Sequence, residues 1–168
     1  QGNTVVANGS ATLMAATVNK GTNATAATGS LVLASVGAID WGTLNAGAAI
    51  DAHATGAINL TTTTSGTTTG LRSNNGAVTL GTATSGGSQT IRAAHDVSFD
   101  RLRTDGITGD VGNINVTADA GAIQGDTVVA NGSATLMATI ANKGTGATAT
   151  TGSLVLASVG AIDWGTLN

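Results

Sequence analysis

Cysteine, proline, tyrosine and glutamate do not occur in this sequence of 168 residues, and each absence narrows what it can be. Without cysteine there is no disulfide, no thiolate nucleophile and no cysteine-ligated metal. That does not assign a compartment, because a stack of repeats needs no covalent staple. Without proline, no strand loses a ladder hydrogen bond to that residue. Charged residues are 9% of the chain, against roughly 25% in typical domains, and aromatics are 2%. The net charge of −3, with six basic residues scattered along the chain, leaves no electrostatic footprint for nucleic acid or an anionic membrane. No run approaches the ~20 apolar residues of a membrane span, and no signal-like segment is visible. What is present is 41% hydrophobic residues and 25 glycines. A chain this apolar and this weakly charged should fold, around a thin core of small and branched side chains.

The sequence repeats itself. Gln1 to Asn45 and Gln124 to Asn168 align without a gap at an offset of 123 residues and differ at six of 45 positions. These are Asn3/Asp126, Ala16/Thr139, Thr17/Ile140, Val18/Ala141, Asn23/Gly146 and Ala27/Thr150. Residues 1–168 therefore read as one continuous segment of a longer array, one full repeat and about a third of the next.

Inside the repeat runs a shorter period. A small residue followed by alternating apolar positions recurs at Gly9–Ala15, Gly29–Ser35, Ala48–Ala54, Thr69–Asn75, Gly87–Ala93 and Gly112–Ala118, and restarts at Gly132 and Gly152. The spacing averages about 20 residues, so six units make one 123-residue repeat. A second motif follows most of these starts: Gly37-Ala38-Ile39-Asp40-Trp41, Gly56-Ala57-Ile58-Asn59-Leu60, Gly76-Ala77-Val78-Thr79-Leu80 and His95-Asp96-Val97-Ser98-Phe99. Strict alternation is the period-2 signature of a strand with one buried face, and no helical periodicity is sustained. Short strands at a 20-residue coil length predict an all-β fold, a parallel β-helix (β-solenoid) in which each coil stacks on the one before. In register, the first strands would point Leu13, Leu31, Leu33, Ile50, Ala52, Leu71, Ile91, Ile114 and Val116 inward. Second strands of about five residues would stack Ile39, Ile58, Val78 and Val97 in one inner column and Trp41, Leu60, Leu80 and Phe99 in the next. Asp40, Asn59, Thr79 and Ser98 would face out, and a one-residue slip would exchange the columns. At the ~4.8 Å strand spacing, six coils rise about 29 Å and the whole chain about 40 Å.

One step, from Gly87, is longer than the rest and carries most of the local charge: Arg92, Asp96, Asp100, Arg101, Arg103, Asp105 and Asp110. These residues form the candidate interaction loop, with the extra length expected to bulge between Arg101 and Asp110. Its carboxylates invite an acid/base or calcium reading. Because they alternate with Arg101 and Arg103, mutual neutralisation is the simpler account, and no catalysis is expected. His53 and His95 lie about two coils, or ~10 Å, apart, too far to share a metal whose nitrogens sit within ~2.1 Å. Gly86-Gly87-Ser88 does not continue as a calcium-binding nonapeptide. No cofactor or metal is expected. The Thr61–Thr69 run brings ice-binding solenoids to mind. The corresponding segments, Gly42-Thr43-Leu44-Asn45 and Gly81-Thr82-Ala83-Thr84, read as lacking the required Thr-x-Thr column, so the run is taken as a polar turn. Asn8, Asn23, Asn59, Asn115 and Asn131 open N-x-Ser/Thr triplets, several of which chance alone supplies at this composition.

The units at 29–41 and 112–124 resemble the haemagglutinin-type repeats of filamentous haemagglutinin-like exoproteins, passengers of two-partner secretion in Gram-negative bacteria. The resemblance extends along essentially the whole chain. It implies a right-handed β-helix fibre exported to the cell surface, serving adhesion, biofilm formation or presentation of a distal toxin. On that basis the chain is expected to be the non-catalytic shaft of an extracellular adhesin or surface filament. Its expected partners are neighbouring repeats end to end, lateral or end-to-end copies of itself, and a host-cell or glycan surface, with no membrane insertion. A β-helical carbohydrate-binding or polysaccharide-degrading module is the alternative, and an ice-binding solenoid a lesser one.

Overall fold

The computed structural model describes residues 2–168, with side chains from Thr4 onward. It is all-β. In chain order the strands are β1 (Gly2–Ala7), β2 (Ala11–Ala15), β3 (Val18–Ala26), β4 (Leu31–Ser35), β5 (Ala38–Ala46) and β6 (Ile50–Ala54). Next come β7 (Ile58–Ser65), β8 (Thr69–Ser73), β9 (Val78–Ser85), β10 (Gln89–Ala93), β11 (Val97–Thr104) and β12 (Ile114–Ala118). The series ends with β13 (Ile123–Ala130), β14 (Ala134–Ala138), β15 (Ala141–Ala149), β16 (Leu154–Ser158) and β17 (Ala161–Leu167). Odd strands form one nine-stranded sheet and even strands one eight-stranded sheet, and every neighbouring pair is parallel. Each strand thus pairs with the strand two elements on, one coil away, which makes the chain a parallel β-solenoid.

The inner columns stack as the alternation predicts. Ile39 pairs with Ile58, Ile58 with Val78 and Val78 with Val97, and none of the four has solvent exposure. Trp41, Leu60, Leu80 and Phe99 form the next column, each nearly or fully buried. Asp40, Asn59, Thr79 and Ser98 stand in one register outside. The inward residues expected of the short strands are buried too, apart from Leu13, which is half-buried in the first of them. Like stacked on like is what a 20-residue period does to a chain whose strands repeat one pattern.

The odd strands correct one expectation. They are eight or nine residues long in the body of the stack, not about five, because each turns a corner midway. In β5 the buried positions are Ile39 and Trp41, then Leu44 and Ala46, so the alternation shifts phase at Gly42-Thr43. This gives every coil a third face. Its inner columns, Ala24-Leu44-Thr63-Ala83-Leu102-Val128-Ala147 and Ala26-Ala46-Ser65-Ser85-Thr104, are mostly small or hydroxylated residues. At the corner, a Cβ on Gly42 or Gly81 would run into the carbonyl of the coil before, Thr22 O or Thr61 O.

Two column positions are filled by asparagine. Asn19 continues the column under Ile39, and Asn142 does so beside Ile123. Both are nearly or fully buried. Asn19 Nδ2 donates to Leu13 O (2.7 Å) while its Oδ1 accepts from Trp41 Nε1 (3.0 Å). Asn142 repeats the arrangement with Leu136 O (2.8 Å) and Trp164 Nε1 (3.0 Å). Beside these, glycine makes room for rings: a Cβ on Gly125 would fall on the Phe99 ring and one on Gly144 on the Trp164 ring. Where their side chains are described, the six positions that differ between the two copies are all exposed or half-exposed. The interior of the repeat is kept while its surface drifts.

Candidate functional site

The seven charged residues singled out from the sequence do not come together. Arg92 lies on β10 and faces out from the short-strand sheet, its Nε donating to both carboxylate oxygens of Asp119 (3.1 and 2.9 Å). Asp96 sits in the turn before β11, where Oδ1 accepts from the Ala122 amide (2.8 Å). Asp100 stands at the corner of β11, one layer from Asp126, with Phe99 paired to Gly125 and Arg101 to Thr127 on either side. Arg101 and Arg103 face out from the third face, and Arg103 Nε donates to Asp105 Oδ1 (2.7 Å). A coil of 20 residues wraps around every face of the shaft, so residues close in sequence point in different directions.

The bulge itself is residues 105–113, and it begins after Arg101 and Arg103, which belong to strand β11. Its tip closes by mutual backbone bonds between Ile107 and Asp110 (2.8 and 3.0 Å), and Gly106, Gly109 and Gly112 take positive φ, a conformation that glycine adopts without a Cβ penalty. The Asp110 carboxylate accepts from Ser88 Oγ (2.5 Å), Ser88 N (2.8 Å) and Gly112 N (2.9 Å). The Ser88 hydroxyl, then the Ser88 and Gly112 amides, hold its pKa below the usual carboxylate value, with burial opposing weakly. Asn131 Nδ2 donates to Val111 O (3.0 Å) and Thr104 Oγ1 to Gly112 O (2.5 Å). Asp110 is a staple: both of its carboxylate oxygens accept hydrogen bonds from within the protein.

Two shallow hollows follow the corner of the odd-strand sheet. One, of about 400 Å³, is lined by Asp40, Asn59, Thr61, Thr79 and Asp100 among others. The other, of about 190 Å³, is lined by Ser98, Asp100, Gln124 and Asp126. They offer hydroxyls, amides and carboxylates with no basic group among them. His53 lies on β6, facing out, and His95 in the turn after β10, so the two imidazoles occupy different faces. Among the described residues no three metal-ligating side chains gather.

The threonine run is a turn only at residues 66–68, with Thr69 opening β8. Thr61–Thr64 is the middle of β7, with Thr63 fully buried and Thr62 and Thr64 outward. Thr62 lies between Thr43 and Thr82, and Thr64 between Asn45 and Thr84, so Thr-x-Thr does occur on two successive coils. Arg101 and Arg103 then occupy the same two columns and interrupt them. Asn59 and Asn115 are exposed on strands, whereas the Asn131 amide is engaged by the loop.

No protein-family model matches the chain, and no curated protein or solved structure matches it. Its own geometry is therefore the ground for assigning a role. That geometry supplies an unbroken ladder, a stapled loop, and coils tied together by Lys20–Asp40, Arg92–Asp119, Asp96 and Asp110.

Proposed function

We propose that this chain is a length of structural shaft from an extracellular bacterial adhesin or surface filament, non-catalytic, giving reach and stiffness to whatever it carries. The observation that supports it most is the continuity of the inner columns from coil to coil, combined with a 123-residue repeat whose interior is kept. Each coil presents to the next the same strand edges and nearly the same apolar columns. Stability then adds through nearest-neighbour contacts, and length is free to grow with repeat number. The resemblance of 29–41 and 112–124 to haemagglutinin-type repeats adds the surface location and the export through a partner pore. Electron microscopy of arrays with two, three and four repeats tests the shaft: each added repeat should lengthen a thin rod by about 29 Å. Compact particles, or a length that does not grow with repeat number, would remove it. Cells displaying shortened arrays test the adhesive role, and binding to host surfaces that is indifferent to shaft length and to deletion of the protein would remove that part.

The corner hollows favour one second reading, recognition of a polyhydroxylated ligand such as a glycan. Asp40, Asn59, Thr61, Thr79 and Asp100 offer acceptors and hydroxyls at successive layers. Glycan-array binding that disappears on Asp100→Ala and Asn59→Ala supports it, and no binding to any glycan dismisses it.

A further inference from the structure

On the outer face of the short-strand sheet two columns of side chains run side by side. The first includes Val32, Asp51 and Gly70, and the second Ala34, His53 and Arg72, one of each per layer on β4, β6 and β8. Gly70 is not required by the backbone: positive φ among glycines is confined to Gly106, Gly109 and Gly112. Nor is it required by packing, because a Cβ there would meet only ordinary contacts, the nearest being Asp51 Oδ1 at 3.5 Å. Glycine inside a strand weakens it, and often marks a place where another group approaches closely. Here it leaves a notch over which the Asp51 carboxylate leans. Arg72, one residue across, is exposed and bonded to Asn74 Oδ1 (3.0 Å). Among the described residues neither Arg72 nor Asp51 forms an ion pair, whereas Arg92 is paired with Asp119.

The same face carries an exposed apolar strip. Met14 is 79% exposed and Val36 68%, and with Ala34 and His53 they line a hollow of about 460 Å³. Met137, Val155, Ala157 and Val159 repeat Met14, Val32, Ala34 and Val36 unchanged. Immediately beyond, the turn and the first residue of the next strand have meanwhile changed, Ala16-Thr17-Val18 against Thr139-Ile140-Ala141.

We propose that this face docks a second copy of the same chain, the two shafts side by side and pointing the same way, with Arg72 of each filling the notch over the other's Gly70 and reaching its Asp51. A twofold axis along the shaft lays the first column of one copy on the second column of the other, layer for layer. Asp51 then faces His53 and Arg72, Gly70 faces Arg72, and Val32 faces Ala34. At the ~10 Å separation of packed sheets, the largest outward side chain meets the one missing side chain and opposite charges meet. An axis across the shaft would instead set column on like column, placing Arg72 and Arg92 against the same guanidinium-bearing column of the other copy. Since the parallel arrangement matches every layer with the same layer, it accumulates no mismatch as the array lengthens. Such pairing needs the solenoid but not the adhesive role.

Sedimentation of the 168-residue chain tests it. A monomer–dimer equilibrium should weaken as salt screens the Arg72–Asp51 pairs. Gly70→Lys should raise the dissociation constant about tenfold or more by placing a cation against Arg72, with the circular dichroism spectrum unchanged. Arg72→Asp should do the same, and adding Asp51→Arg should restore dimers. Because the chain has no cysteine, geometry can be read by thiol crosslinking: Val32→Cys chains mixed with Ala34→Cys chains should be joined by a short bismaleimide that bridges the ~10 Å between packed sheets. Monomers throughout the soluble range, dimers indifferent to Gly70→Lys, or preferential crosslinking between Ala34→Cys and Thr117→Cys chains, as an antiparallel pair would give, overturn the proposal. None of these outcomes touches adhesion, which is read on cells.

Discussion

Replacing Asn19 with leucine is the sharpest perturbation of the interior. Asn19 is 6% exposed, and its Oδ1 accepts the indole proton of Trp41, itself 3% exposed. Leucine has the same γ-branched shape, though it is larger, and would continue the aliphatic column of Ile39 and Ile58. On hydropathy alone the change should therefore stabilise. It also strands the buried Trp41 N–H, at a cost of about 1–3 kcal/mol, and only part of that is recovered by the added apolar burial. Net destabilisation of about 1–2 kcal/mol is expected. Trp41→Phe alone should also destabilise, since it leaves Asn19 Oδ1 without a donor and shrinks the ring. The double variant removes both ends of the Asn19–Trp41 bond, so the two changes should couple by about 1–3 kcal/mol. Urea unfolding followed by far-ultraviolet circular dichroism avoids dependence on the altered tryptophan, and hydrogen exchange in β3 and β5 locates the effect. Strict additivity, or an Asn19→Leu chain more stable than the parent, would refute the reasoning.

Two other outcomes follow from particular contacts. Gly125→Ala should destabilise by about 1–3 kcal/mol, because the new methyl meets the Phe99 ring; Phe99→Leu in the same chain should recover much of that loss in thermal unfolding. The Asp110 carboxylate, its pKa depressed by Ser88 and Gly112, contributes loop stability that is fully present above the unfolded value of about 3.9. That contribution is lost as pH falls through the lower folded value. Exchange at the Ser88 and Gly112 amides should accelerate below that pH, and Asp110→Asn should show the faster exchange already at neutral pH.

Much of the fold was legible because period and alternation agree. Ile39, Ile58, Val78 and Val97 are each preceded by a turn-like residue pair and followed by polar-then-apolar residues, so the column is legible in the sequence alone. The third face was not legible. Most of its inner positions are Ala, Ser and Thr, with Leu44, Leu102 and Val128 the exceptions, so segments such as Thr61–Ser65 lack the apolar–polar contrast that reveals a buried face, and the corner glycines before Thr43 and Thr82 read as punctuation. Thr63 illustrates the difficulty: it is fully buried amid identical neighbours in sequence that are not. The buried asparagines were hidden for a similar reason, since asparagine ordinarily marks a turn. The signal that could have found them is the coil offset, which sets Asn19 one layer from Ile39 and Trp41 two residues further on. The charged stretch from Arg92 to Asp110 was legible as composition but not as a site. Seven residues that crowd one line of sequence are distributed by the winding over separate faces, and most of their charge is met by Asp119, Asp105, Ser88 and backbone amides.

The winding itself can be measured by crosslinking in a chain that has no cysteine of its own. Asn59 and Thr79 are direct partners on adjacent coils and face out, while Ser98 lies one coil beyond Thr79 in the same column. Neighbouring parallel strands stand about 4.8 Å apart, within the Cα separation of about 4.4–6.8 Å that a disulfide spans. Asn59→Cys with Thr79→Cys should close readily under mild oxidation, whereas Asn59→Cys with Ser98→Cys, two layers apart, should stay reduced. Failure of the first pair to close, or closure of the second as readily, would contradict a shaft in which every twentieth residue returns to the same column.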